Sequence, residues 1–274
     1  MESKVWFITG ASSGFGYEVM RMALERGDRV AAAARRIQKI KELTAQYPDR
    51  LLPVRLDVTD REAVMAAVQS AHSRFGRIDV AFSNAGGGHF GPVEELTEQE
   101  LRDQMEKNFF GSFHFIQAVL PIMRSQRSGH VLQTTSIGGI TAYPFNGAYH
   151  ATKWALEGML QSLAQEVASF NIHVTAIEPG AFGTNFVSAC TATKSVIADY
   201  KQTYEGMLAY AESSDQFAEA PFDAARIIIR VADAEDAPYR ILLGTGALDA
   251  IKTDYQQRIA EWENWKWEDM NNKA

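Results

Sequence analysis

The sequence predicts a doubly wound α/β fold, a parallel sheet of about seven strands with helices on both faces, built as a single domain. Two observations carry this. Short β-branched or apolar runs alternate with longer amphipathic stretches along the whole chain, and the runs are mostly apolar on both faces, as expected of a parallel sheet covered by helices. A glycine-rich turn joins the first run to the first helical stripe, where such folds place their ligand-binding crossover.

In chain order, strands are expected near Val5–Thr9, Arg29–Ala34, Leu51–Leu56, Val80–Ser83, His130–Thr135, His173–Ile177 and Tyr239–Leu243. Helices fill the gaps. Thr97 followed by Glu100 reads as a capping box that opens a helix with Leu101 and Met105 on one face. Residues Tyr149 to Phe170 read as a helix with an apolar stripe at Ala155, Met159, Leu163 and Val167. No Pro/Gly/Ser-rich linker, low-complexity run or repeat marks a boundary, so all of 1–274 is assigned to one domain. That domain carries an insertion at about 182–220, without strand pattern and partly helical, and a tail at about 246–274. The insertion is expected to act as a mobile lid. In the tail, Ile259 and Trp262 at helical spacing, with Trp265 and Trp267, suit packing on the chain's own core or on a neighbouring subunit equally.

Composition narrows the function. The chain has 274 residues, 46% of them apolar and 22% charged, enough to fill a core and too apolar for intrinsic disorder. A net charge of -7 supplies no global field for nucleic acid or anionic lipid. The single cysteine, Cys190, excludes an internal disulfide, and the six histidines form no His-x-x-x-His pair, so no metal site is expected. Met1-Glu2-Ser3-Lys4 runs straight into an apolar strand without a signal-peptide pattern, and no run is long enough to span a bilayer; a cytoplasmic protein is expected.

The turn Gly10-Ala11-Ser12-Ser13-Gly14-Phe15-Gly16 lets a pyrophosphate approach backbone N–H groups at the positive end of a helix, although the same glycines would also suit a tight turn without a ligand. Its spacing differs from the Gly-x-Gly-x-x-Gly dinucleotide fingerprint. The second strand ends in Arg35-Arg36, where a carboxylate would select NAD; a guanidinium there accommodates a 2′-phosphate, favouring NADP(H). Tyr149 and Lys153 stand four residues apart, on one helix face. A tyrosine with a pKa near 10 is a poor base at neutral pH, and a neighbouring ammonium with a cationic nicotinamide would bring it toward its working range.

Taken together, Thr9-Gly10-x-x-x-Gly14-x-Gly16, Asn84-Ala85-Gly86, Ser136 and Tyr149-x-x-x-Lys153 resemble, in order and spacing, the short-chain dehydrogenase/reductase family over nearly the whole chain. The resemblance implies a Rossmann-type fold and an NAD(P)(H)-dependent oxidoreductase. Tyr149 would be the proton donor or acceptor, Ser136 would hold the carbonyl oxygen, Lys153 would bind the nicotinamide ribose, and Asn108 would maintain a water relay. Asp57-Val58 match the adenine-side contact, and Pro179-Gly180 with Thr184 match the nicotinamide-side turn. The family also implies a homo-oligomer, a dimer or tetramer. Two departures stand out: Ser83 replaces an asparagine common before the Asn-Ala-Gly triplet, and Ser13 replaces a basic residue frequent in NADP-preferring members, leaving the 2′-phosphate to Arg35, helped by Ser12 and Arg36.

Residues Ser136 to Tyr149 and Trp154 to Gly158 are similar to the 17β-hydroxysteroid dehydrogenase-like and bacterial ketoreductase branch, which implies a lipophilic or aromatic ketone or alcohol. His89, Phe90, Tyr143, Phe145 and Phe186 are the expected substrate walls, beside Ser136 and Tyr149, with Val187, Tyr200 and Tyr204 further along the insertion. Two other classes compete. A non-catalytic NADP(H)-binding redox sensor would need no proton-handling Ser/Tyr/Lys set, and a nucleotide-sugar epimerase or dehydratase normally has a longer chain and different glycine spacing.

Overall fold

The computed structural model describes residues 3–184, 186–194, 197–215 and 219–267. The parts of the insertion at 185, 195–196 and 216–218 and of the tail at 268–274 lie outside the described residues.

Seven strands form one parallel sheet: β1 (Val5–Thr9), β2 (Arg29–Ala34), β3 (Leu51–Arg55), β4 (Val80–Ser83), β6 (Gly129–Thr134), β7 (Ile172–Pro179) and β9 (Arg240–Leu243), in spatial order β3-β2-β1-β4-β6-β7-β9. Every β1 residue is buried, as are five of the six in β2, because helices cover both faces. On one face α3 (Arg61–Phe75), α5 (Gly111–Gln126) and α6 (Gly147–Val167) enclose a core around Phe7, Phe115, Leu156 and Val174. On the other, α1 (Gly14–Glu25), the short α2 (Gln38–Glu42) and α9 (Pro221–Ala232) enclose one around Trp6, Ile8, Phe82 and Ile228. The chain order reverses between β1 and β4, and the crevice at such a switch point is where this architecture takes a ligand.

Local signals hold where backbone groups need partners. At Thr97 the side chain accepts the Glu100 N–H at 3.2 Å, while the Glu100 carboxylate accepts the Thr97 N–H at 2.9 Å, capping α4 (Glu98–Met105). The inward stripe of α6 is displaced from the expected one: Leu156, Leu160, Leu163 and Val167 are buried, and Ala155 and Met159 only partly so. The reason is that the buried face begins with Thr152 and Lys153, and the apolar stripe continues their line.

The insertion departs from the strand-free expectation. After α7 (Phe186–Ala189), the two-residue strand β8 (Thr191–Ala192) pairs in parallel with β5 (His89–Phe90) before α8 (Ala198–Asp215) begins. The tail forms α10 (Ala247–Asn264), which touches its own domain through Arg258: the guanidinium donates to the Ile140 carbonyl at 3.1 Å and lies 4.9 Å from the Trp154 ring centroid. Trp262, Trp265 and Trp267 remain exposed. No helix among the described residues is long and apolar enough to cross a membrane.

Candidate active site

The carboxyl ends of β1, β2, β4, β6 and β7 open on one cavity of about 430 Å³. Its floor is the turn after β1. Gly10 adopts φ +68°, and an ideal Cβ there would stand 2.9 Å from Asn84 Nδ2; one on Gly16 would stand 2.6 Å from the Gly10 carbonyl oxygen. The Thr9 hydroxyl accepts the Asn84 and Ala85 N–H groups at 2.9 and 3.1 Å, locking the turn to the loop after β4. Ser13 sits at the N-cap of α1 without a side-chain cap bond, and the first helical turn carries no acid, so this end of the cavity keeps a positive helix terminus.

Gly10, Ser12, Ser13, Gly14 and Phe15 line this wall, with Arg35 and Arg36 at the end of β2, Asp57 and Val58 after β3, and Asn84, Ala85 and Gly86 after β4. Gly16 lies beneath the lining, where its missing side chain permits the close packing of the turn. Pro179, Gly180 and Thr184 complete the far side, and the rings of Phe15 and Phe182 meet edge to face at 5.1 Å. Backbone cradle, helix terminus and guanidinium pair form a donor set suited to the phosphates of a nicotinamide dinucleotide.

The opposite wall carries Ser136, Tyr149 and Lys153. Ser136 follows the end of β6 and accepts the Gly138 N–H at 2.9 Å, which fixes its side chain at the start of a 3-10 turn. Lys153, buried one turn after Tyr149 on α6, places its Nζ 5.6 Å from the phenol ring centroid and donates to the Thr134 carbonyl at 2.9 Å. Burial lowers the Lys153 ammonium to about 8, against the charge of Glu157, which raises it. Burial also pushes the Tyr149 phenol up to about 12, opposed by a hydrogen bond with Ser136. Desolvation is the largest influence on this phenol and keeps it protonated at neutral pH.

Asn108 stands behind the wall rather than in it. It lies on a five-residue π-helix, Glu106–Phe110, between α4 and α5; such bulges re-aim side chains at functional sites. Its amide oxygen accepts the Gly87 N–H at 3.0 Å, and its amide nitrogen donates to the Gly87 carbonyl at 2.9 Å and the Thr152 hydroxyl at 3.0 Å. The side chain thus holds the loop after β4 against α6.

Of the expected substrate walls, Phe186 lines the cavity together with Val187, and the Phe186 ring meets the Tyr149 ring at 5.6 Å. His89, Phe90, Tyr143 and Phe145 do not line it. His89 is buried, with Nδ1 2.9 Å from Thr191 Oγ1 and Nε2 3.1 Å from Thr193 Oγ1, so it bonds to the insertion. Phe90 pairs with Ala192 in the small sheet. Phe145 packs on Tyr204 and Tyr200 at 5.3 and 6.3 Å, and Tyr143 turns its ring to His150. His89, Phe90 and Phe145 thus brace the segment over the cavity.

Sequence reasoning overlooked Gly87, Lys107 and Phe182 in the lining, and a cluster behind Lys153 in which the buried Glu157 and Glu178 meet the exposed Arg240. The run Gly86-Gly87-Gly88 and the four-residue step from Lys153 to Glu157 were the available signals.

Residues 4–195 match the family model for short chain dehydrogenases. The chain is 38% identical to Oxidoreductase BOA17 of Botryotinia fuckeliana, over 96% of this chain and 97% of that one. It is 36% identical to rat estradiol 17-beta-dehydrogenase 1, over 82% of this chain and 71% of that one. A short-chain dehydrogenase from Streptomyces avermitilis superposes with a TM-score of 0.91 at 38% identity, covering 98% of this chain and 99% of that one. With its sheet order, glycine turn and Ser/Tyr/Lys wall, the chain belongs to the short-chain dehydrogenase/reductase family and is an oxidoreductase of that family.

Proposed function

We propose that this protein transfers hydride between NADP(H) and a carbonyl or secondary alcohol on a lipophilic or aromatic molecule, with Tyr149 as the proton donor in reduction and acceptor in oxidation. One observation carries the reading: Ser136, Tyr149 and Lys153 share a wall of the cavity whose opposite wall is the glycine turn and the start of α1.

Gly10, Ser12, Gly14 and Phe15 would hold the dinucleotide's phosphates beside the start of α1, with Arg35 and Arg36 at a 2′-phosphate and Pro179, Gly180 and Thr184 on the nicotinamide side. When bound, the nicotinamide supplies or takes the hydride. The chain's own residues handle orientation and the proton. Ser136, held by Gly138, donates its hydroxyl to the substrate oxygen. Tyr149, protonated at neutral pH because burial raises its pKa, gives its phenolic proton to that oxygen as negative charge develops. Lys153 places a positive charge beside the phenolate left behind and stabilises it. Asn108 keeps Gly87 and Thr152, and so the two walls, at fixed separation.

Phe186, Val187 and Ala189 give the substrate side an apolar cover, which supports a lipophilic ligand, as does the steroid in the name of the rat relative. The segment 182–220 acts as the lid, closing over substrate and excluding water. The test is NADPH oxidation with a panel of ketones, aldehydes, quinones and steroids, run beside Tyr149→Phe. Turnover in the wild type that falls by about 10²-fold or more in the variant supports the assignment. Turnover that survives the substitution unchanged refutes Tyr149 as the proton donor.

A further inference from the structure

One cationic side chain in the cavity has no part in the chemistry above. Lys107 lies on the π-helix one position before Asn108, is partly buried, and lines the cavity. Its chain runs alongside Gly87, where an ideal Cβ would stand in van der Waals contact with it, 3.4 Å from Lys107 Cδ and 3.7 Å from Nζ. Among the described residues no carboxylate pairs with it; the ion pairs on the surrounding elements join Glu98 to Arg102 and Glu100 to His89.

Its position along the cavity follows from the glycines after β4. A Cβ on Gly87 would stand 3.7 Å from Lys107 Nζ, and one on the next residue, Gly88, would meet Cys190 Sγ at 2.6 Å and Phe186 Cζ at 3.2 Å. The lysine therefore lies beside the glycine run on which Cys190 and Phe186 of the insertion pack, and the Phe186 ring in turn meets the Tyr149 ring. The glycine turn, the start of α1 and the two arginines form a separate cationic wall. An ammonium partly withdrawn from water without a counter-charge is costly unless a ligand supplies one. The cover itself is apolar, with Phe186, Val187 and Ala189.

We propose that Lys107 is the subsite for an anionic oxygen group, a carboxylate or phosphate, at the end of the ketone substrate remote from its carbonyl; this rests on the reductase reading above. The substrate class is then an amphiphilic keto acid or keto phosphate: carbonyl at Ser136 and Tyr149, apolar body under Phe186, anion at Lys107. The competing source of the same chemistry is a phosphate of the dinucleotide.

The experiment titrates 4-acetylbenzoate and its methyl ester calorimetrically into the enzyme–NADP⁺ complex of the wild type, Lys107→Met and Lys107→Arg. The wild type is expected to bind the acid about tenfold or more tightly than the ester, as a charge-assisted hydrogen bond allows. Lys107→Met removes that preference, and Lys107→Arg keeps most of it. An acid-to-ester ratio near one in the wild type, or a ratio unmoved by Lys107→Met, overturns the proposal. A loss of NADP⁺ affinity in Lys107→Met as large as the loss for the acid assigns the ammonium to the dinucleotide and also overturns it. Because binding is read without turnover, an enzyme that held the acid through Lys107 but reduced no ketone would sink the reductase reading and leave the anion subsite standing.

Discussion

Lys153 donates its ammonium to the carbonyl of Thr134 at 2.9 Å, joining α6 to the end of β6 two residues before Ser136. One hydrogen bond thereby fixes the two elements that carry Ser136, Tyr149 and Lys153. Burial holds this ammonium at about 8, so its charge is present below that pH and lost above it. The Tyr149 phenol, at about 12, stays protonated throughout that range. We predict that kcat/KM for ketone reduction is level below pH 8 and falls through a single ionisation near it. The profile with saturating NADPH checks this; a rate independent of pH up to 10 would show that Lys153 does not titrate there.

Cofactor choice rests on β2. It ends without an acid, and Arg35 and Arg36 line the cavity there. Replacing Arg35 with Ser removes the closest guanidinium to the strand end and is expected to weaken NADPH binding about 10- to 100-fold, the worth of a charge-assisted bond, with NADH affected far less. Fluorescence titration with both dinucleotides reads the ratio. Equal losses for the two would mean that the arginine does not meet a 2′-phosphate.

The insertion is pinned at His89. Both ring nitrogens meet hydroxyls of the insertion, at Thr191 and Thr193, while the Thr191 and Thr193 N–H groups donate to the carbonyls of Gly88 and Phe90. Burial lowers the histidine pKa, with Glu100 opposing, so the ring is neutral at pH 7. His89→Ala removes two hydrogen bonds to the insertion, leaving the Thr191 hydroxyl only the Gly88 carbonyl, which costs about 1–3 kcal/mol of local stability. Amide exchange across residues 186–192 should quicken and KM should rise more than kcat falls. Exchange unchanged from the wild type would show that the small sheet alone holds the segment.

The legibility of the sequence followed the range of the interactions. The seven main strands were readable because burial on both faces makes each a nearly continuous apolar run, as in Val5–Thr9. The glycine turn and the Tyr149/Lys153 pair were readable because four-residue and turn spacings are local. The pairing of β5 with β8 was hidden, since two residues carry no periodicity and their partners lie about a hundred positions away. The same distance hid the fate of His89 and Phe145: an aromatic near a cavity reads alike whether it faces the ligand or braces the segment above it. Lys107 was invisible because its place in the cavity depends on the π-helix that carries it and on the loop after β4 folding beside it.

Behind Lys153, Arg240 on β9 lies 3.1 Å from the Glu178 carboxylate on β7 and 3.4 Å from that of Glu157 on α6. Two buried carboxyls face one guanidinium: Glu178 meets it through Oε1 and Glu157 through Oε2, and Glu157 Oε1 has no hydrogen-bond partner among the described residues. Burial, reinforced by the charge of Glu157 and opposed by Arg240, raises Glu178 from 4.5 to about 8. In the pH window between those values the native state holds a proton that the unfolded chain has released. Stability from this group therefore falls as pH rises from 4.5 to about 8, and the whole cost of a buried second carboxylate is present above it. Glu178→Gln keeps the shape and removes the ionisation. Its melting temperature relative to the wild type should accordingly climb between pH 5 and 8 and level off beyond. Melting curves of the two proteins at unit steps from pH 5 to 9 test this; a difference that stays constant across the series would mean that Glu178 is ionised throughout, with Arg240 alone sufficient to neutralise the pair.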